Sequence, residues 1–177
     1  MLIKKWWRYI LALCVAFLLV GLGLWLSGLL PASTTSPVPP EVSSQLEFSP
    51  LIIPRDSEQL KTSSYKYSEM EDGTKVLSYI ITLPDGKTVT ASEYPQPSQF
   101  TDVPEYKDKF LTNVIEQNAT VSTASGTISL GRMTKQPDKK QIGVIIDKGL
   151  VLFLNPSETL DEKTWRSIGD ELVIQKR

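Results

Sequence analysis

The chain contains no histidine and a single cysteine, Cys14, among its 177 residues. Ser-His and Cys-His catalysis, zinc sites built on His or Cys, and disulfides within one chain are therefore excluded. A basic footprint is missing as well. Lys and Arg number 19 against 20 Asp and Glu, and three of the cations, Lys4, Lys5 and Arg8, fall in the first thirty residues, which hold no acid. The rest of the chain is mildly acidic, so no nucleic-acid partner is expected. Glycine-rich phosphate loops are absent too, since Gly-x-Gly occurs only at Gly21 and Gly23, inside an apolar run.

That run is the strongest signal present. Residues 10–30 carry no charge, and 21 residues of helix reach about 31 Å, the thickness of a hydrocarbon core. Nine Leu, one Ile, one Phe and two Val contribute roughly −4 to −8 kcal/mol of insertion free energy. Lys4, Lys5 and Arg8 precede it, with Trp6, Trp7 and Tyr9 where an aromatic belt would lie. The positive-inside rule then places residues 1–9 in the cytoplasm, 10–30 across the cell membrane in contact with lipid, and everything beyond outside the cytoplasm. A cleaved signal peptide is the competing reading. Its apolar core is usually shorter, and Leu30-Pro31-Ala32 is a poor small-x-small cleavage site. Cys14 reads as a small apolar residue in lipid rather than a reactive thiol. Ala12, Ala16, Gly23 and Ser27 fall on one side of such a helix, a face that would support a weak homodimer, although Leu19 and Val20 interrupt it.

Residues 31–45, PASTTSPVPPEVSSQ, combine four Pro with six Ser or Thr and few apolar groups. Such a composition predicts an extended spacer. The remainder, 46–177, is long enough for its own core. Glu71-Asp72-Gly73, Pro84-Asp85-Gly86 and Asp147-Lys148-Gly149 each supply a glycine where positive φ is cheap, between runs rich in β-branched and aromatic residues. Strands are predicted at 62–70, 75–83, 87–94, 119–124, 127–133, 141–146 and 150–154. Two helices follow the hairpins. Asp102-Val103-Pro104-Glu105 has the form of a capping box, followed by Phe110, Leu111 and Val114; Thr159-Leu160-Asp161-Glu162 is a second, followed by Trp165, Ile168 and Leu172. Hairpin, Pro-containing loop and capped helix thus occur twice, at 77–117 and 142–174, as in a duplicated unit. The expected fold class is α+β: an antiparallel sheet of about seven short strands with two amphipathic helices on one face, preceded by one transmembrane helix.

The run IGVIIDKGLVLFLNPSETLDEKTWRSIGDELV, with LIIPRDSEQLK and LSYIITLPDGKTVTASEYPQP before it, resembles the DUF4367 family over most of 48–174. The Mog1/PsbP-like group of sheet-and-helix domains has a similar pattern. The DUF4367 resemblance implies an envelope-facing domain, often attached to membrane regulators, with no established chemistry and no catalytic residues to carry over. Regulators of that kind grip a partner with a cytoplasmic module; nine residues before the apolar run are too few for one.

No residue set points to a cofactor or a metal. Acids cluster at Glu69, Glu71 and Asp72 and at Glu158, Asp161 and Glu162, a supply for glycosidase chemistry or Ca²⁺, but a hairpin turn and a helix N-terminus account for them equally well. Lys135, Lys139 and Lys140 mark a basic loop, and Asn118-Ala119-Thr120 matches a glycosylation sequon at the frequency of chance. Tyr65, Tyr67, Tyr79 and Tyr94 lie on neighbouring predicted strands, either as core residues or as the lining of a ligand groove. The expected function is that of a non-enzymatic, single-pass membrane protein whose outer domain binds a protein or envelope partner. The alternatives are a carboxylate hydrolase of envelope polymers and a structural subunit of a membrane assembly. If the small-residue face pairs, cysteines engineered at 12 and 16 in a Cys14→Ser background will crosslink to a dimer in membranes. No dimer band at either position ends that idea.

Overall fold

The computed structural model describes residues 37–103, 105–135 and 141–175. The expected anchor, with Lys4, Lys5, Trp6, Trp7 and Arg8 and the span 10–30, lies outside the described residues. Among the described residues no helix is long and apolar enough to cross a membrane.

In chain order the elements are α1 (Pro40–Ser43), β1 (Leu51–Ile52), β2 (Lys61–Glu69), β3 (Lys75–Thr82), β4 (Thr88–Pro95), α2 (Gln99–Asp102), α3 (Glu105–Val114), β5 (Ile115–Thr123), β6 (Gly126–Met133), β7 (Ile142–Asp147), β8 (Leu150–Pro156), α4 (Glu162–Glu171) and β9 (Val173–Ile174). Seven strands form one antiparallel sheet in the order β2-β3-β4-β8-β7-β6-β5, and β1 pairs with β9 in a separate ribbon. The α+β class and the seven expected strands are therefore present. Each expected hairpin is an antiparallel pair, with Gly73, Gly86 and Gly149 at positive φ in its turns. Two meanders, β2–β4 and β5–β8, meet through β4 and β8, where Ala91 faces Leu154 and Glu93 faces Leu152.

The two longer helices do not share a face. Trp165, Ile168 and Leu172 of α4 pack with Ile128, Leu130 and Ile145 on one side of the sheet. Phe110, Leu111 and Val114 of α3 pack on the other with Val144, Ile146 and Val151. The cause lies in β7 and β8, whose apolar side chains point both ways, so that both surfaces must be covered. This also removes the duplicated unit. A two-fold axis relating the antiparallel neighbours β4 and β8 would stand normal to the sheet and keep both helices on one side.

The caps shift as well. Asp161, not Thr159, caps α4, its carboxylate accepting from Thr164 N at 2.8 Å. Asp102 closes the short helix α2 rather than opening α3.

Two apolar residues of the expected spacer, 31–45, take part in the core. Val38 and Val42 are buried in the main core with Leu46, Phe48 and Leu51, so the segment from Val38 onward belongs to the fold. With few apolar groups, it still places each of them inward. This strap, 38–60, covers the same face as α4.

Tight contact between α4 and β5 rests on Gly169: a Cβ there would lie 2.5 Å from Thr123 Oγ1 and 2.7 Å from its Cβ. Alanine favours helix by about 1 kcal/mol over glycine, yet overpacking costs about 1–3 kcal/mol. Gly169→Ala will therefore lower the denaturant midpoint, and a raised midpoint would refute this packing.

Candidate functional site

The four tyrosines do not line one groove. Tyr79, on β3, is fully buried and stacks on half-buried Tyr65 of β2 with centroids 5.4 Å apart. Tyr67 packs on the same core from the rim, where its hydroxyl donates to Glu69 Oε2 (2.9 Å) and Lys75 sits 5.6 Å from its ring centroid. Tyr94 is on the opposite face, stacked on Phe153. The three-residue offset from Ala91 to Tyr94 along β4 puts the two side chains on opposite sides of the pleat.

Beside Tyr79 lies a residue with no such signal in the sequence. Glu93 is fully buried, and its Oε2 accepts from Leu51 N at 2.8 Å. The Tyr79 hydroxyl donates to Leu51 O at 2.6 Å. One edge of β1 pairs with β9; the peptide groups of Leu51 on its other edge are bonded by side chains from the sheet. Glu93 Oε1 has no hydrogen-bond partner. Burial pushes the Glu93 carboxyl well above its ordinary range, the Leu51 N–H opposing only in part. The same burial, with Glu93 and Tyr65 nearby, raises the Tyr79 phenol. This constellation is a structural clasp for the strap.

The acidic clusters are engaged locally. Glu69 accepts from Lys75 Nζ at 2.9 Å, which lowers the carboxyl and raises the amine. Asp72 accepts from Thr74 N in the hairpin turn, and Glu162 pairs with Arg166 at 2.7 Å one helical turn on. Among the described residues no group of three His, Cys, Asp or Glu is placed to hold a metal. Of the basic loop, Lys139 and Lys140 lie outside the described residues. Asn118 is exposed in an irregularity of β5, between Gln117 and Ala119.

Two clefts remain. The first, of about 340 Å³, opens beside the strap between Val38, Leu46, Phe48 and Gln175. The hydroxyls of Ser43 and Ser44, on its wall, bond back to Pro40 O and Glu41 O within their own turn. The second, of about 370 Å³, lies between α3 and the sheet strands β5, β6 and β7. Lys107, Asp108 and Leu111 form its helical wall, and Gln117, Thr127, Ser129, Ile146 and Asp147 its sheet side. Lys107 Nζ donates to Ile146 O at 2.8 Å and ties the helix to the strand. The side chains of Gln117, Thr127 and Ser129 make no hydrogen bond among the described residues. The second cleft is the candidate site because it gathers uncommitted polar groups. It went unread in the sequence, although β6 carries its signal: Ile128 and Leu130 alternate with small or polar Thr127, Ser129 and Gly131.

No known protein family, curated protein or solved structure matches this chain.

The pH response of stability tests the clasp. A carboxyl whose folded pKa is raised contributes fully below its unfolded value, near 4.5, and loses that contribution as pH rises towards the folded value. Glu93→Gln keeps the acceptor for Leu51 N and removes the titration. Its stability will gain on the wild type by about 1.4 kcal/mol for each pH unit above that point, until the folded carboxyl ionises. Unfolding curves that run parallel from pH 4 to 8 would contradict a buried titrating Glu93.

Proposed function

We propose that this chain is a single-pass membrane protein whose folded domain lies outside the cytoplasm and binds a protein or envelope component, without catalysis of its own. The cleft between α3 and β5–β7 carries this reading: among the described residues its amide and hydroxyl groups bond to no other group, and the hydroxyl of buried Ser129 faces into it, which suits a surface completed by something else. The charge-free run at 10–30 with Lys4, Lys5 and Arg8 before it supports the anchor and the orientation. A second reading, hydrolysis of an envelope polymer, draws on Asp108 in the same cleft. A homodimer through Ala12, Ala16, Gly23 and Ser27 would serve the structural-subunit alternative.

Two measurements on the full chain in cells test the proposal. Protease added to intact cells (or spheroplasts) will remove a C-terminal tag and spare an N-terminal one; the reverse pattern overturns the orientation. A photo-reactive side chain at Thr127 will give an adduct with an envelope component, whereas one at Glu71, in the β2–β3 turn, will not. Equal labelling at both positions removes the cleft as the binding surface. Loss of polymer mass in the presence of the protein, abolished by Asp108→Asn, would favour the hydrolase.

A further inference from the structure

We infer that the cleft between α3 and β5–β7 is a binding site for an uncharged, hydroxyl-rich ligand, a sugar ring of an envelope glycan or an equivalent polyol. The inference rests on the binding reading above and gives it a ligand class.

The chemistry of the lining decides the class. Gln117, Thr127 and Ser129 are neutral, and each is both donor and acceptor. Such groups are best matched by a ligand that also offers a donor and an acceptor at the same atom, as each sugar hydroxyl does. Ser129 is only 8 % exposed, so its uncommitted hydroxyl can meet a ligand only from within the cleft. An anionic ligand is disfavoured because Lys107 is the one cation on the wall among the described residues. Its ammonium already serves Ile146 O, and Asp108 lines the same cleft. A metal ion is disfavoured because no three-ligand set exists among the described residues. The Asp108 carboxylate instead suits neighbouring hydroxyls of one ring, two donors to one acceptor group.

Shape agrees with chemistry. Leu111 and Ile146 provide a hydrocarbon surface for the C–H face of a ring. A volume of about 370 Å³ sits near the bottom of the usual range for small-molecule sites, enough for one or two rings. Among the described residues no aromatic side chain lines the cleft, so no stacking is counted on and millimolar affinity for a single ring is expected. A repeating polymer held by many tethered copies would compensate through avidity.

The cleft is built by sequence rather than left over. On this side of β6, Thr127, Ser129 and Gly131 stand where the other side has Ile128 and Leu130. Apolar residues at 127 and 129 would extend the core of Val144 and Ile146 across the strand and close the space.

The test uses the full chain in a detergent without a sugar headgroup. Methyl glucoside, N-acetylglucosamine and cellobiose are titrated with saturation-transfer NMR, and putrescine and inorganic phosphate serve as charged probes. At least one saccharide should show transfer with millimolar affinity. Gln117→Leu and Ser129→Val, each with an unchanged melting temperature, should weaken it about tenfold, the effect of one or two lost hydrogen bonds. If Ser129→Val fails to fold, Gln117→Leu alone decides. Saccharide binding unaffected by these variants overturns the inference, and so does binding of putrescine or phosphate alone. Retention of the protein on isolated envelopes that none of the saccharides competes overturns the ligand class while leaving the binding reading intact. No retention at all removes both.

Discussion

A two-residue strand held by a carboxyl and a phenol is the constraint on which this domain depends. β1 presents one backbone edge to β9, where Pro50 O accepts from Gln175 N, and the other, the N–H and C=O of Leu51, to Glu93 and Tyr79, so the peptide groups of Leu51 are satisfied although β1 never joins the large sheet. Without those side chains, a buried N–H and a buried C=O would each lack a partner, at about 1–3 kcal/mol apiece. With them, the strap lies flat on the face made by Leu77, Tyr79, Ala91 and Leu152, and its Val38, Val42, Leu46 and Phe48 complete the main core. The arrangement keeps an acid in the interior, its second oxygen unmatched.

The other face follows from a different balance. α3 has no fully buried residue and ties down through Phe110, Leu111, Val114 and the Lys107 ammonium. It covers β7 and β8, whose apolar residues demand it, and leaves β6 beyond it open. The candidate site is the border between those two zones. An apolar core ends where the strand sequence changes from Val144 and Ile146 to Thr127 and Ser129. What fails to be core there becomes available to a ligand.

Local signals in the sequence were enough for the strands, because each turn carries a glycine at positive φ and each flank is β-branched or aromatic. The Trp165, Ile168 and Leu172 stripe was equally plain. What escaped was anything that needs two distant segments at once. IGVIID and LVLFL are apolar on both sides, which calls for cover on both faces of the sheet and separates the two helices. Glu93 looked like any strand acid, since only the fold brings Leu51, forty-two positions away, to its carboxyl. Tyr79 and Tyr94 lie on neighbouring strands, β3 and β4, yet the pleat puts them on opposite faces of the sheet. The cleft combines residues from one helix and three strands, none unusual alone.

The pairing of β1 with β9 carries a lesson about time. A chain is made from its N-terminal end, so residues 51–52 emerge long before 173–174, the strand with which they pair. Until then the meander β2–β4 also lacks β8, its neighbour across the middle of the sheet. The nascent domain therefore passes through a stage with two unfinished edges, and its latch shuts only when the final turn of chain arrives. A chain cut short near its end would keep nearly every strand and still hang open, a form that quality-control proteases can recognise.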